Sequence, residues 1–315
     1  MERTSFLERP IFHTGPGWWQ RFWSRSNERV GYLFILPSFV HLILFLVVPL
    51  VFSLYLSFTD WRGTNFYNAP FIGTANYEFM LGDRRWWNAM ANSGYYTLLA
   101  VPLGMMISLM IALVMNMKLR GVNLFRTLFF MPVISSWVAV SVIWITLLDP
   151  QAGIVNYTLK SLGLPTVNWL GDPASAMPSL VMITIWKGAG FNMVIWLAGL
   201  QAIPQELYEA AAIDGAGSWQ SFWRITLPLL KPTTFFLAIT GVIGSFQVFS
   251  SVYVITGGGP RGATDVAVHR IYLRAFESFD MGYASALAWV LFAVIFAFTL
   301  LQVWYMRRRE EASLF

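Results

Sequence analysis

Residues 93–116 read SGYYTLLAVPLGMMISLMIALVMN, a run without a single charged side chain. A helix rises about 1.5 Å per residue, so about 20 mostly apolar residues cross the hydrocarbon core of a bilayer. This stretch therefore predicts a transmembrane helix. Five more stretches meet the same test, at residues 30–58, 128–148, 180–200, 233–255 and 283–306. None of the six contains Asp or Glu, and His41 and Lys187 are their only basic side chains. Backbone groups in lipid must pair within the chain, so all six are read as helices. The fold class is all-α: a polytopic membrane protein with six transmembrane helices.

Composition leads to the same class. The 315 residues are 57% hydrophobic and 12% charged, whereas a soluble domain carries roughly 25% charged residues. The 15 Trp, 12 Tyr and 26 Phe suit membrane–water interfaces. With no Cys, neither a disulfide framework nor a thiolate metal site can form. The three His do not cluster as metal ligands. A net charge of +5, scattered along the chain, does not point to nucleic acid; it is better read as topology. Placing the N-terminus inside puts 13 Lys and Arg on the inner segments and 7 on the outer loops, so both termini are expected to be cytoplasmic.

Three segments follow: 1–29, 30–306 and 307–315. In the first, Trp18, Trp19, Phe22 and Trp23 recur at helical spacing beside Arg21 and Arg25, the pattern of a short interfacial amphipathic helix. The first span is too long for a signal peptide and lacks a small-residue cleavage site, so it is expected to stay as an anchor. His41 is read most simply as a hydrogen-bonding core residue.

The inner loop at 201–232 carries the most specific pattern. Pro204 suits a helix start, Glu206 and Glu209 sit near its positive end, and Gly215 can close it in the left-handed conformation. Ser218 is expected to cap a second helix, which Pro228 and Pro232 interrupt. The small face of Ala210, Ala211 and Ala212 would let another surface come close.

Glu209-Ala210-Ala211, Gly215 and Ile225-x-Leu227-Pro228, at their spacing in this chain, resemble the EAA loop of binding-protein-dependent ABC importer permeases. A second set is similar to the sugar-importer branch that includes maltose and glycerol-3-phosphate permeases: Thr256-Gly-Gly-Gly-Pro260, Thr264-Asp265, Tyr272, Ala275-Phe276 and Gly282-Tyr283-Ala284. The segment from Trp186-Lys187 to Pro204 resembles that branch as well. The likeness covers about residues 30–306 and lacks a large periplasmic insertion.

The resemblance implies the type I importer permease fold, with loop 201–232 as a coupling helix pair. Glu209, Ala210, Ala211, Asp214 and Gly215 would then face an ATPase. It implies a heteromer in the bacterial inner membrane: a second homologous permease, two ATPase subunits holding ATP and Mg2+, and an extracytoplasmic sugar-binding protein. The outer loops at 60–92 and 149–179 are long enough for short helices and would receive that protein.

The chain has no Gly-x-x-x-x-Gly-Lys-[Ser/Thr] run, so the phosphate grip of a P-loop is missing and ATP hydrolysis is expected in a partner. Intramembrane polar groups mark a pathway or helix–helix contacts. The candidate substrate path is Lys187, Asn192, Ser245, Gln247, Ser250 and Tyr253, with Lys187 favoured for a structural or gating role over substrate contact. An ion-gradient-driven secondary transporter is the alternative, although such carriers usually place ionisable groups in their spans. The exact sugar stays open, glycerol-phosphate derivatives and oligosaccharides included.

Overall fold

The computed structural model describes residues 31–63, 69–117 and 120–311. The interfacial helix expected within 1–29 lies outside them. Two units are distinguished, to Tyr55 and from Leu56. The first is the apolar helix α1, Gly31–Leu56, which runs on one residue into the second unit. In α1, His41 is exposed rather than set in a core, its ring tilted 4.8 Å from that of Phe45, one turn on.

Among its described residues, the regular structure of the second unit is helical apart from isolated bridges. In order come α2 (Ala75–Gly82), α3 (Arg84–Met115), α4 (Val122–Ile134), α5 (Trp137–Leu147), α6 (Ile154–Ser161), α7 (Pro173–Gln201), α8 (Gln205–Ile213), α9 (Ser218–Leu229), α10 (Lys231–Phe246), α11 (Ser250–Ile255), α12 (Ala267–Tyr272) and α13 (Met281–Glu311).

Four helices among the described residues, α1, α3, α7 and α13, are each long and apolar enough to cross a membrane, and there are six spans if each of two bent pairs counts as one. The expected six spans are reached when each of these pairs is counted as one broken span. The third span turns by 101° between α4 and α5. Ser135 and Ser136 are both extended there, and the Ser136 hydroxyl accepts from the Val138 N–H at 3.3 Å, so a second helix starts where the first stops. The fifth span turns by 62° at Leu230, between α9 and α10. Pro232 fits in the first turn of α10, where its missing N–H costs nothing. The fifth span then unwinds at Gln247–Phe249 before α11 resumes.

Helix starts follow their caps. Asp83 opens α3 by accepting from the N–H groups of Arg85 at 2.9 Å and Trp86 at 3.3 Å. Asp172 and Pro173 open α7 in the same manner. Three apolar clusters hold the unit together. Tyr96, Val140, Leu180 and Val252 gather α3, α5, α7 and α11. Ala112, Trp196 and Leu230 join α3 and α7 to the α9–α10 bend. Trp86, Phe246, Ala267 and Leu287 join α3, α10, α12 and α13. Polar pairs cross between these helices: Trp196 Nε1 donates to Ser108 Oγ at 3.1 Å, and Tyr96 Oη to Thr184 Oγ1 at 2.7 Å.

The glycine-rich motif at 256–265 proves architectural. Gly257 and Gly258 take φ of +57° and +80°, the left-handed region that favours glycine. Thr264 Oγ1 lies 2.7 Å from Thr256 Oγ1 and donates to the Gly259 carbonyl at 2.5 Å. Asp265 pairs with His269 at 2.7 Å and with Arg270 at 3.0 Å, while Asn92 donates to the Gly262 and Asp265 carbonyls, both at 2.9 Å. A Cβ on Gly282 would collide with the Thr59 carbonyl oxygen, so the start of α13 packs backbone to backbone against the turn at Thr59.

Candidate functional site

Two features stand out, one in the loop at 201–232 and one between the spans. In the loop, α8 ends at Ile213 and Gly215 takes φ +78°. The Gly215 N–H donates to the Ala212 carbonyl at 3.1 Å, and the Ala216 N–H to the Ala211 carbonyl at 2.8 Å. These two bonds form a Schellman closure, which satisfies carbonyls a helix end otherwise leaves bare. The second helix departs from expectation by one position. Gly217, extended at φ −75° and ψ 168°, occupies the cap site, and Ser218 is already helical without a capping side-chain bond. Five residues at Phe222–Thr226 widen into a π-turn just before Pro228, where a missing N–H disturbs the regular ladder. Tyr208 Oη and Thr226 Oγ1, 2.9 Å apart, tie the two helices into one body.

Of the residues expected at a docking face, Glu209, Ala210, Asp214 and Gly215 are exposed and Ala211 is half-buried. Ile213 stands 88% exposed beside them, and Trp219 74%. Sequence reasoning passed over Ile213. An aliphatic residue left this bare, next to a small-residue face, offers a knob for a protein partner.

Between the spans, helices α3, α5, α7, α10 and α11 and the unwound segment at 247–249 line an open cavity of about 330 Å3. Asn192, Ser245, Gln247 and Ser250 line it, as do Tyr96 and Thr184, which the sequence reading had not picked out. Ser245 also has acceptors at Thr97 Oγ1, 2.9 Å away, and the Val242 carbonyl, 3.1 Å away, so it joins α10 to α3. Lys187 and Tyr253 lie outside the lining. The Tyr253 ring stacks on Phe249 at 5.2 Å and meets Tyr272 edge-on at 5.1 Å.

Lys187 turns toward the break in the third span. Its Nζ donates to the carbonyls of Pro132 at 2.9 Å, Val133 at 3.2 Å and Ser135 at 2.8 Å. It also sits 5.1 Å from the centre of the Trp137 ring. Pro132 and Val133 belong to the last turn of α4 and Ser135 is its C-cap, so the cation meets the negative pole of the helix. Three residues on, a Cβ at Gly190 would overlap the Phe129 carbonyl oxygen. So α4 and α7 cross in direct backbone contact.

At the N-terminal end of α3, the Asp83 carboxylate accepts from Tyr283 Oη at 2.9 Å and pairs with Arg274 at 3.4 Å. Burial raises its pKa, but bonds from Tyr283 and the Trp86 and Arg85 N–H groups, with the Arg274 charge, outweigh it and hold the carboxyl below its ordinary value. Among the described residues, no group of three or more His, Asp or Glu could hold a metal ion.

Comparison with known proteins places these features in context. Residues 100–311 match the model of a family described as binding-protein-dependent transport system inner membrane component. The trehalose/maltose transport system permease protein MalF of Thermococcus litoralis is 34% identical over 290 residues, which is 90% of this chain and 96% of that one. The lactose transport system permease protein LacF of Rhizobium radiobacter is 34% identical over 288 residues, 89% of this chain and 95% of the relative. Among solved structures, a bacterial ABC transporter involved in the import of the acidic polysaccharide alginate superposes with a TM-score of 0.81 at 26% identity, covering 91% of this chain and 99% of that one.

Proposed function

The chain belongs to the family of binding-protein-dependent transport system inner membrane components, and from that premise we propose that it carries a sugar or sugar derivative across the bacterial inner membrane as one permease of an ATP-binding-cassette importer. A solute-binding protein delivers the substrate on the outer side. A second, homologous permease completes the pathway, and two ATPase subunits bind ATP and Mg2+. Membership in this family sets aside the secondary transporter weighed earlier, since energy enters through a partner rather than an ion gradient. Both termini lie in the cytoplasm in this reading.

The observation that carries the proposal is the α8–Gly215–α9 unit. It is stapled internally by Tyr208 and Thr226, yet it presents Glu209, Ala210, Ile213, Asp214 and Gly215 outward. Such a rigid projection with an uncovered aliphatic tip suits docking against an ATPase. Movement there reaches the cavity through α7, which runs unbroken from Thr184 and Asn192 to Gln201. A Cβ on Gly199 would press on Thr233 and Leu230, so α7 also grips the start of α10. In the transport cycle, ATP would draw the coupling loops of the two permeases together and open the path outward. Hydrolysis would return it to face inward.

The test is purification of the chain from its native membrane in mild detergent, with mass spectrometry of its companions. A Walker-type ATPase and a second permease should accompany it. The ATPase should be lost from Glu209→Lys and Gly215→Val, while the second permease stays. An ATPase retained by both variants would overturn the coupling role, and a chain that purifies alone would overturn the importer assignment.

A further inference from the structure

We infer that the substrate passing this chain is an uncharged saccharide, with acidic and phosphorylated sugars excluded. This rests on the permease reading and narrows it to a substrate class. Among the described residues lining the cavity, none carries a charge at neutral pH. The polar groups on offer include the amides of Asn192 and Gln247 and the hydroxyl of Ser250. Each can replace a water on a sugar hydroxyl at little net cost, because one neutral hydrogen bond is exchanged for another. The ring of Trp137 adds a flat apolar surface to the lining, suited to the C–H face of a sugar ring.

A carboxylate or phosphate entering the same space gives up water without gaining a counter-ion from this chain, and an ion left unpaired as it is desolvated is strongly disfavoured. Lys187 directly precedes the lining residue Gly188, but its ammonium is committed to three backbone carbonyls at 2.8–3.2 Å. Lys187 is the only Lys or Arg in α7. In α3, Arg84 and Arg85 occupy the first turn, about 16 Å along the helix from Tyr96. The cavity thus holds hydrogen-bonding capacity without charge, which separates it chemically from a path built for uronates or phosphate esters.

The complete complex, purified with its ATPase subunits and second permease and reconstituted into proteoliposomes with its binding protein, tests this by ATP-driven uptake. The neutral probes are trehalose, maltose, lactose and raffinose. The charged probes are an alginate-derived dimannuronate and glycerol 3-phosphate. At least one neutral sugar should enter at least about 100-fold faster than either charged probe, equivalent to about 2.8 kcal/mol. Uptake of a charged probe at a rate equal to or above the best neutral sugar would overturn the inference and leave the importer reading standing. Uptake of none of the probes would overturn the sugar-importer reading itself.

Discussion

Replacing Lys187 with methionine removes the ammonium but keeps the length and apolar stem of the side chain. Three carbonyls at the end of α4 then lose a charged donor. A hydrogen bond to a charged group contributes about 1.5–3 kcal/mol, so three bonds sum to roughly 4–9 kcal/mol of gross interaction. Against this stands the desolvation of the ammonium on a residue only 7% exposed, which costs several kcal/mol and vanishes in the variant. The net loss is about 2–4 kcal/mol, concentrated at the 101° break. At 1.4 kcal/mol per decade, the population in which α4 and α5 part rises roughly 30- to 700-fold.

Thiol chemistry reads this population directly. The chain has no cysteine, so Val140→Cys, at a site 3% exposed in α5, supplies a single buried reporter. Its labelling rate in the purified complex should rise by at least about 30-fold when Lys187→Met is added. Uptake should fall, while assembly and the half-saturating sugar concentration stay unchanged. An unaltered labelling rate would refute the clamp, and an altered sugar preference would assign Lys187 to the substrate instead.

Gly190→Ala should be felt at the same crossing. Its methyl meets the Phe129 backbone, which cannot rotate aside, and overpacking of this kind costs about 1–3 kcal/mol; a lower melting temperature of the detergent-solubilised complex checks it. Asp83 supplies a pH dependence of defined sign. Its folded pKa is depressed, so its contribution is complete above the ordinary carboxylate value of about 3.9 and is lost as pH falls through the lower folded value. Thermal unfolding scanned from pH 7 to pH 3 should show a destabilisation below about pH 4 that is smaller in Asp83→Asn, which starts lower at neutral pH.

The uninterrupted spans were legible because length and hydropathy alone decide them: α3 and α7 contain no acidic residue, and their only basic ones are Arg84 and Arg85 in the first turn of α3 and Lys187 in α7. The breaks were not. Ser135-Ser136 sits inside an apolar run, and a serine there is as compatible with back-bonding to the helix as with capping a new one. Lys187, some fifty residues onward, donates to the carbonyls at the end of α4 and at its cap. That pairing is tertiary and leaves no trace in local pattern. The unwinding at Gln247–Phe249 likewise lacks a proline or glycine at the break. Asn192, Ser245, Gln247 and Ser250 stood out as polar groups in apolar helices. Tyr96 and Thr184 did not, since Tyr and Thr fit a membrane helix without any cavity to face. In the loop, Gly215 announced its turn by residue type, whereas Ile213 read as an ordinary apolar residue until its exposure was seen.

The backbone contact at Gly190 gives α7 a fulcrum, and a rod with a fulcrum has a mechanical advantage. From Gly190 to Gln201 the arm is about 16 Å, and from Gly190 back to Thr184 it is about 9 Å. A push on the order of 3 Å at Gln201 would emerge at Thr184 as roughly half as much travel in the opposite direction, with nearly twice the force. The geometry is that of a crowbar: it exchanges stroke for grip at the place where the substrate would be held.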